Sequence, residues 1–217
     1  MKSSFGLLAM LLGSGLSAHA AEVRLGEVLS AGFGETTIAD LPTGFETGYQ
    51  PRWGAALAAE LSFGGHWTLL ASPGYLEKGG TLSETGAGPE SKYDFGYLEV
   101  PVGLRYAFGG HKARPFVVGG ASVGFLLTAK LHPGTGPDVD LEDRTRGVDV
   151  GLLGGIGVEV PARRGHGFFE VVAIQGLRDI NALGTMEIHQ RTILLRAGWT
   201  FGLRRGRAGE DAAGAGR

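Results

Sequence analysis

The sequence predicts an all-β chain, an eight-stranded antiparallel transmembrane up-and-down β-barrel. Three observations predict it. Apolar and polar residues alternate with period two through eight segments, the connections between them run long, short, long, short, and a leader of secretory type precedes the first segment. Successive side chains of a strand point to opposite faces, so this alternation makes one wall greasy and the other small or polar. A soluble barrel hides the greasy wall inside, whereas a membrane barrel turns it outward to lipid.

The leader favours the membrane. Lys2 supplies a charged start, Phe5 to Leu16 form a short apolar run, and Ala18-His19-Ala20 is a small-x-small cleavage site. Residues 1–20 therefore read as a secretory signal peptide, with the mature chain beginning at Ala21. No later stretch approaches the ~20 continuous apolar residues of a membrane helix.

The strands follow in order. The first, about 23–33, puts Val23, Leu25, Leu29, Ala31 and Phe33 on one face, with Glu27 as an unexplained break in it. The second, 52–63, sets Trp53, Ala55, Leu57, Ala59, Leu61 and Phe63 against Arg52, Gly54, Ala56, Ala58, Glu60 and Ser62. Gly64-Gly65-His66 turns into the third, about 67–78, where Trp67, Leu69, Ala71, Pro73 and Tyr75 share a face. Proline cannot donate to a central ladder, so Pro73 predicts a bulge. The fourth strand, about 96–108, turns Leu98, Val100, Val102, Leu104, Tyr106 and Phe108 outward and Tyr97, Glu99, Pro101, Gly103 and Arg105 inward.

A short link through His111, Lys112 and Arg114 leads to the fifth strand, about 115–127. The sixth, about 147–160, turns Val148, Val150, Leu152, Ile156, Val158 and Val160 outward, with Asp149 and Glu159 inward. Pro161 to Gly167 turns the chain into the seventh, about 168–177. The eighth, about 191–203, puts Ile193, Leu195, Ala197, Trp199 and Phe201 outward and Arg196 inward.

Eight is an even number, so both termini lie on one side. The three short turns then fall in the periplasm and the long connections (34–51, 79–94, 128–145 and 178–190) outside the cell. With those directions, the outward aromatics sort into two girdles: Phe33, Trp53 and Tyr75 near the outer edge, and Phe63, Trp67, Tyr106, Phe108, Phe169, Trp199 and Phe201 near the periplasmic edge. Amphipathic rings prefer the headgroup zone, which accounts for two belts.

The 40 glycines among 217 residues are spread through the strands rather than collected in linkers, as close packing inside a narrow barrel requires. With no cysteine, the chain has no disulfide framework and no thiolate chemistry. A net charge of −2 gives no footing for a nucleic-acid partner. The domain plan is thus a signal peptide at 1–20, a barrel at 21–203, and a polar C-terminal tail at 204–217.

Four segments carry a family resemblance: Tyr75-Leu76-Glu77-Lys78-Gly79-Gly80, YLEVPVGLRYAFG (Tyr97 to Gly109), RPFVVGGASVGFLL (Arg114 to Leu127) and FFEVVAIQGLRDI (Phe168 to Ile180). Together they resemble the PorT-type outer-membrane β-barrel domain over nearly the whole mature chain. The resemblance implies a small eight-stranded outer-membrane barrel, for most members without known biochemical activity, and for one named member a role in a protein-secretion apparatus. One feature departs from the common pattern. Such barrels often end on a C-terminal aromatic, whereas here Phe201 is followed by a polar tail.

Candidate chemistry is sparse. Gly120-Ala121-Ser122-Val123-Gly124 spells G-x-S-x-G, but a nucleophile elbow needs a strand–turn–helix setting and this run sits inside a barrel strand. His66, His111 and His166 fall in three different periplasmic turns, and His132 and His189 in different outer loops, so no nucleophile–base pair emerges. The acidic run Asp138-Val139-Asp140-Leu141-Glu142-Asp143 offers oxygen ligands for Ca²⁺ or Mg²⁺ without the spacing of a helix–loop–helix site, and reads as a solvated loop. The inward charges Glu60, Glu99, Arg105, Asp149, Glu159, Glu170 and Arg196 read as a paired polar core, because an eight-stranded barrel is just wide enough for side chains to fill.

The expectation is a non-enzymatic structural or interaction barrel with no cofactor and no catalytic or metal site. Its partners are outer-membrane lipid, lipopolysaccharide and an envelope protein met by the outer loops. The alternatives are an accessory subunit of a secretion or assembly machine, and a hydrolase working at the barrel rim.

Overall fold

The computed structural model describes residues 22–39, 41–85, 89–109, 112–162, 165–183 and 187–203. The expected leader and tail lie outside them. Ten strands form one sheet: β1 (Glu22–Ile38), β2 (Phe45–Phe63), β3 (Trp67–Ala71), β4 (Gly74–Glu84), β5 (Ser91–Ala107), β6 (Arg114–His132), β7 (Val139–Asp140), β8 (Val148–Ala162), β9 (Gly165–Gly176) and β10 (Ile188–Gly202). β3 and β4 are two halves of one wall strand and β7 is a two-residue appendix on β6, so the wall itself has eight staves. All neighbours are antiparallel. The ring closes where β1 meets β10, through an unbroken register from Arg24↔Gly202 to Ile38↔Ile188.

The facing matches the alternation in the sequence. Leu29, Leu57, Leu152, Ile156 and Leu195 stand 55–69% exposed on the outer wall, while their strand neighbours Val28, Ala58, Leu153 and Arg196 are buried inside. An apolar exterior around a partly charged interior is inside-out for water and suited to lipid. Glu27 is on the outer wall as well. Its register partners are Leu57 and Trp199, both exposed on the same wall.

Three expectations need correcting. The first two long connections are much shorter than the alternation suggested, because β1, β2, β4 and β5 run on into them, whereas the other two lose only a few residues to β6 and β10. Strands of 15–19 residues exceed the 9–11 that cross a bilayer, so the wall continues past the membrane. Both faces of such an extension meet water or loops, and the period-two signal fades there.

Pro73 interrupts the ladder without bulging it. The β3–β5 and β4–β5 pairings keep one register on either side of the gap (Ala71↔Val102, Gly74↔Glu99). The backbone around it stays bonded, since Leu57 N–H donates to Pro73 O (3.0 Å) and Ser72 N–H to Pro101 O (3.1 Å). True register shifts occur elsewhere, between Gly48 and Gly54 and between Gly96 and Tyr97. Finally, Pro161 and His166 belong to the β8–β9 ladder rather than to the turn.

Near the long-loop end β4 abandons alternation, and Lys78, Gly79, Gly80 and Thr81 are buried in succession. Gly79 makes this feasible. Its φ is +120°, and a Cβ there would run into the Tyr93 carbonyl.

Substituting Leu57 by Arg tests the facing. If Leu57 lies near the bilayer midplane, the variant should lose about 2–4 kcal/mol of stability in lipid. Equilibrium unfolding in vesicles measures it. Ala58→Ser, on the inner wall, should be mild by comparison.

Candidate functional site: a layered lumen under a stitched mouth

The interior is built in layers, from the short-turn end toward the loop end. The first is ionic and centres on Arg105, which parity on β5 points inward. Its guanidinium lies 2.9 Å from Glu60 Oε1, 3.6 Å from Glu159 Oε2 and 3.9 Å from Glu170 Oε2. It also sits over the rings of Phe116 (4.3 Å) and Phe168 (4.9 Å). Each carboxylate has a second cation: Arg24 for Glu60 (3.0 Å), Arg114 for Glu159 (3.2 Å) and Arg196 for Glu170 (3.1 Å). The network therefore alternates in sign, which is how charges persist in a low-dielectric interior.

Above it lies an apolar belt that includes Val28, Leu70, Leu76, Val118, Leu153, Val172, Ile174 and Leu194. Beyond the belt is a second ionic group. Lys78 Nζ lies 2.9 Å from both Glu99 Oε2 and Asp149 Oδ2, and 5.0 Å from the centre of the Tyr97 ring. Gly124 stands between the two acids in the sheet row, pairing with Glu99 on one side and Asp149 on the other. A Cβ at Gly124 would come within 2.6 Å of Glu99 Oε2, so the glycine makes room for the carboxylate. A second apolar cluster, formed by Phe95, Tyr97, Ala129 and Ile180, closes the lumen at the loop end.

All seven inward charges named from the sequence are buried, but they do not meet in one place. Glu60, Arg105, Glu159, Glu170 and Arg196 share the first ionic layer, whereas Glu99 and Asp149 join the second. The sequence reading omitted Arg24 and Lys78, although the parity of their own strands marks both as inward. Lys78 required counting past the Pro73 interruption.

Aromatic residues cluster on the outer wall near both ends. Trp53 and Tyr75 pack together (5.2 Å between centres) toward the loop end. Trp67–Tyr106 (4.7 Å), Tyr106–Phe108 (5.1 Å) and Trp199–Phe201 (6.2 Å) lie toward the turns, with Phe63 beside Trp67 in the register.

Ser122 lies mid-strand in β6, fully buried, and its hydroxyl makes no hydrogen bond among the described residues. Packing accounts for the glycines around it, because a Cβ at Gly120 would strike the Val102 carbonyl. His111 lies outside the described residues. His66 Nδ1 contacts Ala107 O (2.9 Å) and its ring stacks on Tyr106. His166 lines a polar recess at the turn end with Arg24 and Arg114, and His189 pairs with Thr37 in the β1–β10 ladder.

His132 lies between two carboxylates, with Nε2 3.0 Å from Asp94 Oδ2 and Nδ1 2.8 Å from Asp138 Oδ1. Through these two contacts His132 clips the acidic segment to the barrel rim. Within that segment Asp140 Oδ1 accepts the Glu142 N–H (2.8 Å). Among the described residues no three acidic or histidine side chains converge as metal ligands.

Residues 144–146 and 180–182 are stitched together across the mouth. Thr145 bridges Asn181, Arg146 N–H donates to Ile180 O (2.7 Å), and Ala182 N–H donates to Arg144 O (3.0 Å). Asp179 anchors the second segment by accepting the backbone N–H groups of Asn181 and Ile188 (2.9 Å each). Desolvation pushes its carboxyl pKa upward, but these donors and Arg146 outweigh that, so it is held below the usual range.

Replacing Arg105 by Ala should destabilise the barrel by about 3–5 kcal/mol, since Glu60, Glu159 and Glu170 each lose a buried counter-charge. Arg191→Ala, at an exposed position on β10, should be close to neutral. Thermal unfolding in detergent, followed by heat-dependent gel mobility, compares the two.

The sequence matches a family model described as "Outer membrane protein beta-barrel domain" over residues 29–181. Among solved structures, Neisserial surface protein A is similar at 12% identity and TM-score 0.54, with 83% of this chain and 97% of that one covered. More distant in shape are Ail of Yersinia pestis (15% identity, 83% and 97% covered, TM-score 0.44) and OprG of Pseudomonas aeruginosa (13% identity, 84% and 96% covered, TM-score 0.44). At such identities the likeness concerns the fold alone. Among curated proteins none matches the sequence.

Proposed function

This chain belongs to the outer membrane protein beta-barrel domain family and is an integral protein of the bacterial outer membrane, and on that premise we propose that it works without enzymatic chemistry, as a structural and interaction barrel with a side-chain-filled interior. Its working surface is the loop end, turned out of the cell toward lipopolysaccharide, a surface ligand or another envelope protein. The observation that carries this reading is the contrast between interior and mouth. Inside, the charged groups are committed to one another. At the mouth, two connecting segments are hydrogen-bonded into one continuous surface that carries exposed Asp140, Glu142, Asp143 and Arg144. Export through the leader at 1–20 and a polar tail at 204–217 belong to the same proposal.

A second reading, an accessory subunit of a secretion or assembly machine, rests on the resemblance of the segment from Tyr97 to Gly109 to the PorT-type domain. Its Tyr97, Glu99 and Pro101 all lie on the buried face of β5, so the segment supports the barrel interior rather than a docking surface.

The chain lacks cysteine, so orientation can be tested by single cysteines at Thr135 and Gly65, treated on intact cells with an impermeant thiol reagent. Thr135→Cys should label on intact cells and Gly65→Cys only after the outer membrane is opened. The opposite pattern would turn the barrel over and remove the surface-interaction reading. A stoichiometric envelope partner retained through detergent extraction would favour the machine subunit.

A further inference from the structure

Beneath the stitched segments, the mouth holds a cavity of about 200 Å³. It reaches across the barrel from β1 to β5, and its walls are largely apolar: Ile38, Tyr93, Phe95, Leu141, Ile180 and Ile188. Tyr93 and Phe95 lie nearly parallel, 12° apart with centres at 6.4 Å, and form one flat side. The volume is below the ~300–1,000 Å³ of pockets for drug-sized ligands, so the occupant is smaller than those.

Among the described residues a single charged side chain lines this cavity, that of Arg144, which is itself exposed at the rim. Its backbone is fixed on both sides, since its N–H donates to Leu141 O (2.9 Å) and its carbonyl accepts from Ala182 N–H (3.0 Å). Its guanidinium makes no ion pair among the described residues, unlike Arg146 next along, which is bonded to Asn181 O (3.1 Å) and lies 3.8 Å from Asp179. A cavity with apolar and aromatic walls and one unpaired guanidinium at its edge is complementary to a small molecule with an apolar body and a single carboxylate. The acidic side chains nearby do not line the cavity. Asp138 is held by His132, and Glu142 and Asp143 are exposed to solvent, where salt screens them.

We propose that this cavity is a binding site for a short-chain or small aromatic monocarboxylate, with the carboxylate on Arg144 and the apolar body against Tyr93, Phe95 and Ile180. The cavity lies beneath the stitched segments with Arg144 at its exposed rim, and it takes a small molecule rather than a macromolecular partner, so it goes beyond the interaction role proposed above, and the two can fail separately.

Isoleucine methyl groups give a direct test on the full-length protein in nanodiscs. Ile38, Ile180 and Ile188 line the cavity, whereas Ile156 faces lipid and reports partitioning of the probe into the bilayer. Titration with hexanoate should shift the methyl signals of Ile38, Ile180 and Ile188 saturably and leave Ile156 in place. Hexan-1-ol, which has the same chain without the charge, should bind about tenfold more weakly or less, and Arg144→Gln should weaken hexanoate by a similar factor. The Ile156 and Ile193 signals of the variant verify its fold, and the alcohol comparison needs no variant. Shifts confined to Ile156, unsaturable shifts at every isoleucine, or equal binding of acid and alcohol would each overturn the proposal.

Discussion

Closure of the sheet between β1 and β10 is the constraint on which the rest depends. In hydrocarbon an unpaired backbone N–H or carbonyl has no water to turn to, so a spanning sheet has no stable free edge. The β1–β10 register supplies the last ladder, from Arg24↔Gly202 to Ile38↔Ile188. Once eight staves are joined into a ring, the inner diameter is set, and every inward residue must fit a space only as wide as its side chains. Glycine content, strand parity and the pairing of buried charges all follow from that narrowness.

The layering of the lumen is a consequence of the same confinement. A buried charge is tolerated only beside an opposite one, and a long guanidinium such as that of Arg105 can serve several carboxylates from different staves at once. Apolar side chains fill what the ionic groups leave, so the Arg105 network and the Lys78 group are separated by a belt that includes Leu70, Leu153, Ile174 and Leu194. The Phe95–Ile180 cluster then closes the loop end, and the segments stitched above it hold Arg144 at the edge of a largely apolar cavity.

Much of the wall was legible in the sequence because its two faces meet different solvents. Leu57 against Ala58, and Leu195 against Arg196, alternate as lipid and lumen alternate. Parity alone would also have assigned Arg24 and Lys78, so their omission reflects incomplete counting rather than missing signal. The strand extensions were not legible, because Glu35, Thr36 and Thr37 on β1, or Glu46 and Thr47 on β2, carry no apolar–polar contrast. Pro73 signalled a disturbance correctly but not its form, since whether a ladder gaps or bulges depends on the neighbouring strands. The mouth was invisible for a different reason. Bonds such as Arg146–Ile180 and Ala182–Arg144 join segments some 35 residues apart, and no local pattern encodes them.

Paired charges and apolar packing fill the lumen from the Arg105 network to the Phe95–Ile180 cluster. Conductance of the purified protein in a planar lipid bilayer tests this most directly. A filled eight-stave barrel should give no steady channel of porin size, and only brief, small flickers as side chains rearrange. Reproducible single-channel steps of porin size from the unmodified protein would contradict both the filled lumen and the count of eight staves.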